Sequence, residues 1–108
     1  MLPPRISHKS DKADRGKRSP AHRKWVREHH CCACGSATAL ECAHVRTGTD
    51  GGTSMKPSDK WTISLCATCH RSQHEMGERA FEALYGIDMK ALAEAFYKAS
   101  PHRGKLDA

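Results

Sequence analysis

Leu65-Cys66-Ala67-Thr68-Cys69-His70-Arg71-Ser72-Gln73-His74 is the stretch whose reading decides the fold. Two cysteines three apart make a knuckle that turns two sulfurs toward one centre. A second knuckle, Cys31-x-x-Cys34, lies upstream, and together the pairs supply four thiolates, the closed tetrahedral set that a structural zinc ion prefers. Cys66 sits where a strand passes into a helix, and a helix N-terminus favours thiolate. Cys32 leaves the first knuckle ambiguous, because Cys32 and Cys34 form a tighter pair. Cys32 and Cys42 read as ordinary buried thiols. Two reduced, buried cysteine pairs are the simpler alternative to a metal.

The same stretch holds His70 and His74. Four residues apart on a helix, both imidazoles face one way and can share a divalent ion with positions left for water and substrate. One short helix thereby serves a sulfur site at its start and a nitrogen site after it. Such a pair alone is weak evidence, since most are surface residues; its place directly after a knuckle strengthens it. Upstream, Ala39 to Val45 reads as a strand carrying His44. A strand pair folded onto the helix brings His44 toward His70 and His74. There it is either a core histidine satisfied by a carbonyl or a base that takes a proton from water. His8, His22, His29, His30 and His102 carry no spacing signal and read as surface residues.

Working outward, Trp61 to Leu65 alternates apolar and hydroxyl residues as a second strand. Between the strands runs a loop, Arg46 to Asp59, with Gly48, Gly51, Gly52 and Pro57. Ser19-Pro20 starts a lead-in helix, with Ser as N-cap and Pro at the first helical position, running to about His30 and burying Trp25 and Val26. After His74 the helix continues to about Met76, and Gly77 interrupts it. Residues 78–85 are helical with Phe81, Leu84 and Tyr85 on one face. Asp88 caps a last helix bearing Met89, Leu92 and Phe96, ended by Pro101. The layout is a disordered basic arm (1–18), a zinc domain (19–99, with its core at about 31–76 and a helical extension at 78–99), and a tail (100–108).

Composition agrees with a small metal-supported domain. The 108 residues are 38% hydrophobic and 6% aromatic, with six cysteines, so the core is thin for the length. No apolar run spans a membrane and the N-terminus has no secretory h-region, which points to the cytoplasm and to metal-binding rather than disulfide-bonded cysteines. The net charge is +6, and all the excess lies in residues 1–30, which hold nine Lys/Arg and three acids. A basic arm on a neutral globule suits a polyanion, most simply nucleic acid, or else is a solvated, disordered tail.

In this order, the knuckles, His44, the Gly-rich loop, Asp59 and Cys-x-x-Cys-His-x-x-x-His resemble the HNH endonucleases: a small α+β domain of the ββα-metal, treble-clef-like fold with an embedded four-cysteine zinc. The chain is especially similar to small phage and prophage HNH proteins, including the recombination-associated Ref-type nucleases. The likeness covers about residues 19–99 and rests on the ordered set rather than any single piece. It implies a metal-dependent endonuclease acting on DNA phosphodiesters, in phage or prophage DNA metabolism or recombination. Under it His44 is the general base, His70 and His74 hold a catalytic divalent metal such as Mg²⁺ or Mn²⁺, and Cys31, Cys34, Cys66 and Cys69 hold the zinc. Arg46, Lys56 and Arg71 are the DNA-binding cations, and a recombination protein is a further partner. Two positions depart from the family. Ala43 stands where many members have a further metal ligand, so Cys42, Glu41 or substrate and water fill the gap. Trp61 stands where the motif has asparagine, and Asp59 is the residue expected to orient His44. A non-catalytic, zinc-stabilised DNA-binding module on the same fold, and an accessory protein that docks through its C-terminal helices, are the alternatives.

Overall fold

The structure is a computed structural model that describes residues 18–47 and 57–107. Residues 1–17 of the basic arm, and Lys56 with the glycines of the long loop, lie outside the described residues. The element order is α1 (Pro20–Val26), β1 (Leu40–His44), β2 (Thr62–Cys66), α2 (Ala67–Met76), α3 (Glu78–Tyr85), α4 (Met89–Ala99) and α5 (Arg103–Asp107). No helix among the described residues is long and apolar enough to cross a membrane.

The strands pair antiparallel, with Leu40 opposite Cys66 and His44 opposite Thr62. This register sets the base of the second knuckle beside the start of β1 and places His44 at the far end of the ribbon. β2 is buried along its whole length, unlike the alternating pattern of its sequence. The reason is that β2 is packed against α1, α2 and α4 as well as β1, so both of its faces are covered. Ser64 tolerates burial because its hydroxyl donates to the His30 carbonyl at 2.7 Å, and Thr62 donates to the Asp59 carbonyl at 2.8 Å. Trp61, just before the strand, is only partly buried.

The helix boundaries have local causes. Ser19 accepts from the His22 backbone N–H, and Pro20 opens α1. The helix ends at Val26 rather than near His30, because residues 27–30 turn so that the chain enters the knuckle. Gly77 (φ 88°) separates α2 from α3, and Gly86 (φ 65°) closes α3 in the left-handed region. Asp88 accepts from the Ala91 N–H and starts α4. Ala39, with φ 53°, is left-handed without being glycine.

Val26, Ala43, Val45, Ile63, Leu65, Phe81, Met89 and Ala93 form the buried centre. Fully burying one such large side chain stabilises the fold by roughly 1.5–3 kcal/mol. Four residues differ from expectation. His22 is fully buried, not a surface residue: Nδ1 lies 2.7 Å from the Ser100 hydroxyl and Nε2 3.4 Å from that of Thr62, so two polar partners make the burial tolerable. His29 and His102 are half-buried as well. Leu84 is exposed although it shares a helix with Phe81, because only one stripe of α3 meets the core. The C-terminal stretch is not a bare tail, since residues 103–107 are helical and Leu106 is buried.

Candidate metal centre and histidine cleft

The first knuckle, residues 31–36, closes by two backbone hydrogen bonds, Cys31 N–H to the Ser36 carbonyl and Gly35 N–H to the Cys31 carbonyl. Gly35 takes φ 80°, a conformation that a side chain would strain. Cys66 ends β2 and serves as N-cap of α2, and Cys69 follows in the first turn. The sulfurs of Cys31, Cys34, Cys66 and Cys69 all lie within 4.8 Å of one another, and those of Cys34 and Cys66 are 3.7 Å apart. A tetrahedron with Zn–S bonds of about 2.3 Å has edges of about 3.8 Å, so the cluster could hold a metal ion such as zinc.

The chemistry of the donor set agrees. Burial opposes ionisation of Cys31, but backbone N–H groups of Cys34 and Ala33, each 3.4 Å from its sulfur, help bring its thiol down to about 6. Burial and the neighbouring sulfurs push Cys69 up to about 12. Four thiolates at this separation repel one another, and a divalent cation is the group that holds them deprotonated together. Cys32 stands outside the cluster, its thiol raised by burial and its sulfur 3.6 Å from the Ser64 hydroxyl, which settles the first knuckle as Cys31 and Cys34.

At the other end of the ribbon, β1, α2 and the end of α1 enclose an open cleft of about 780 Å³. His44, His70 and His74 all border it. His44 Nε2 lies 2.8 Å from Asp59 Oδ1. Asp59 is fully buried at the start of the turn before β2 and is held by several donors: the Ser19 N–H at 2.8 Å, Arg23 at 2.7 Å and, more distantly, Arg18 at 3.5 Å. Burial by itself would raise the Asp59 carboxyl; the hydrogen bonds from His44 and Ser19, with the Arg23 charge, outweigh it and keep the carboxyl below its usual range. In the neutral ring, an anion at Nε2 holds the proton on that nitrogen and leaves the lone pair on Nδ1.

On α2, His70 Nδ1 lies 2.8 Å from Glu41 Oε1, and the Nε2 atoms of His70 and His74 are 3.3 Å apart. Glu41 thus fixes the His70 ring from its other nitrogen rather than converging with the imidazoles. Among the described residues the four cysteines are the group of three or more donors that converges on one point. Ala43 is fully buried and offers nothing to the cleft, whereas Cys42 borders it with a thiol that burial pushes up to about 11. The end of β1 is clipped by Glu78, which accepts from the Arg46 and Thr47 N–H groups at 2.8 Å each, and by Gln73, which donates to the His44 carbonyl at 3.2 Å.

Of the expected DNA-binding cations, Arg46 borders the cleft, Arg71 is exposed on α2 outside it, and Lys56 lies outside the described residues. Spacing arguments overlooked Arg23 and Arg27, which also border the cleft. Their signal was present as an i, i+4 pair on the lead-in helix.

The model of a family described as a protein of unknown function, DUF968, matches residues 3–103. No curated protein and no solved structure matches the chain significantly. With nearly its whole length matched, the chain belongs to the DUF968 family.

Proposed function

We propose that this protein is a metal-dependent endonuclease of the HNH type, hydrolysing DNA phosphodiester bonds in the histidine cleft. The observation that carries the reading is that His44, held by the buried Asp59, borders one open cleft with His70 and His74. An antiparallel strand pair leading directly into the helix with both metal-type histidines is the arrangement expected of a ββα-metal unit. The organisation also separates the stabilising sulfur cluster from the chemistry, as the resemblance implies.

The roles follow from the contacts. Asp59 holds the His44 ring in one tautomer and stabilises the imidazolium that forms. His44 Nδ1 takes the proton of a water molecule, the water oxygen adds to phosphorus, and the P–O3′ bond breaks. His70 and His74 would hold the divalent ion through Nε2: imidazoles sharing one ion sit about 3.0–3.4 Å apart at the nitrogens, and theirs are 3.3 Å apart. Such an ion supplies polarisation of the phosphate and offsets charge on the departing oxygen. Glu41, accepting from His70 Nδ1–H, keeps that ring oriented. Contacts of this kind read phosphate and shape rather than bases, so sequence preference is low.

The buried Ala43 favours a second reading, a DNA-binding module whose chemistry has been lost, because that position supplies no third ligand. Nicking of supercoiled plasmid separates the two. Purified protein is incubated with Mg²⁺, Mn²⁺ or EDTA beside His44→Ala. Nicking that requires metal and disappears in the variant supports the nuclease. Folded, zinc-loaded protein that binds DNA without nicking it supports the module.

A further inference from the structure

The resemblance places the substrate's cations on the loop and on α2, but the cleft has another wall. Arg23 on α1 and Arg27, the residue that caps its C-terminus, lie one turn apart and both border the cleft that His44 borders. A four-residue step along a helix advances about 6 Å, so the two side chains leave the backbone about one turn apart. Arg23 is anchored: one of its nitrogens is 2.7 Å from Asp59 Oδ2, and its side chain retains 30% exposure. A guanidinium carries five N–H donors in a rigid fork, so an arginine fixed at one nitrogen still presents donors from the rest.

Arg27 is different. It is exposed, and among the described residues no carboxylate pairs with it. Its charge is nonetheless felt at the Cys42 thiol inside the cleft, together with that of Arg23. The acids on the cleft's other walls are occupied: Glu41 by His70, and Glu78 by two backbone N–H groups. An anion entering the cleft therefore meets Arg23 and Arg27 with no ion pair at Arg27 to be broken.

We propose that Arg23 and Arg27 form the phosphate-binding wall of the cleft, Arg23 taking the phosphate next to His44 and Arg27 the neighbouring phosphate of the same polynucleotide strand. The proposal rests on the nuclease reading for the identity of the strand, and it assigns which face of the protein holds that strand in register. Arg23 acts twice. Its bond to Asp59 couples the phosphate site to the carboxylate that orients His44, so a bound strand and an ordered base are held by one side chain.

The test uses full-length, zinc-loaded protein and a short fluorescein-labelled DNA duplex, read by anisotropy over a salt series without catalytic metal. Arg27→Gln removes the charge at an exposed position. Lys98→Gln removes a charge from an exposed position on α4 that does not border the cleft. Each phosphate contact contributes about 0.9 to the slope of log K against log salt, which is about fivefold in affinity at 0.15 M. Arg27→Gln is expected to lose about fivefold and to flatten the slope by about 0.9, while Lys98→Gln stays near wild type. Arg23→Lys keeps a cation for Asp59 but loses the fork, and is expected to weaken binding with little change in melting temperature.

Wild-type binding that is salt-dependent and unchanged in Arg27→Gln overturns the wall and leaves the nuclease reading standing. Equal losses in Arg27→Gln and Lys98→Gln also overturn it, because they report overall charge. Binding that depends on Arg27 without any plasmid nicking supports the wall and defeats the catalytic reading. No binding by wild type at low salt defeats both.

Discussion

Asp59→Asn is the substitution that reaches furthest into this molecule, because it tests fold and site at one atom. The carboxylate has no exposed surface and gathers His44, Arg23 and the Ser19 N–H within 2.8 Å, with Arg18 at 3.5 Å. Those donors come from α1 with its entry and from the end of β1, and Asp59 itself stands in the turn before β2, so the residue ties three segments together. Asparagine has nearly the same shape but removes the charge and turns an –NH₂ toward donors. Breaking a buried charged pair costs about 3–5 kcal/mol. Arg18 and Arg23 are partly exposed and keep some hydration, which argues for the lower end, about 3 kcal/mol. For a domain of this size that is a fall of at least about 12 °C in melting temperature. Urea unfolding of both proteins, zinc-loaded, measures the difference directly.

Its pH dependence has a definite sign. The Asp59 carboxyl is depressed from its ordinary 3.8 in the folded protein. The unfolded chain therefore binds the proton first as pH falls, and the stabilisation is present above 3.8 and lost as pH falls through the folded value. The gap between wild type and Asp59→Asn is expected to be full at pH 7 and to narrow below about pH 4. A gap under about 1 kcal/mol at pH 7, or one that is constant into acid, would refute the account of Asp59 as a charged hub.

Three other outcomes follow from the same contacts. Cys66→Ser is expected to abolish cooperative folding, and a strong chelator to lower the melting point of wild type, both read by circular dichroism, since metal affinity at such a cluster is folding free energy. Ala39→Gly relieves a left-handed residue at φ 53° and is expected to stabilise the domain by about 0.5–1 kcal/mol in urea, the conformational relief exceeding the entropy cost of glycine. His22 is buried and its imidazole is held below 6.5, by burial first, with His102 adding to the effect and Asp59 opposing it. The unfolded chain then takes the proton first as pH drops below 6.5, so wild-type stability is expected to decline from there, and His22→Gln to lack that part of the slope in urea titrations.

How much of this was legible in the sequence depends on whether a feature is local. The knuckles and the His70–His74 pair are spacing signals, and spacing on a turn or helix dictates direction whatever surrounds it. The same is true of Ser19-Pro20 and Asp88, whose caps stand where the sequence marks them. His22 was opaque because its burial is decided by α4: only when Ser100 arrives 2.7 Å from Nδ1 does a polar ring become a core residue. β2 looked half-exposed for the same reason, since an alternating strand does not announce that helices will cover both faces. The choice between Cys31 and Cys32 needed the third and fourth sulfurs in place.

The arginines of α1 show why charge in a sequence is hardest to locate. By composition Arg23 and Arg27 belong with the basic arm, nine Lys/Arg spread over the first 30 residues. Docking of α1 against both strands separates them from that pool and turns them onto the cleft. Arg23 then meets a carboxylate 36 residues away in the chain. Net charge favours polyanions in general. Only the helix face, and the buried Asp59 that fixes one end of it, says where that polyanion would lie relative to His44.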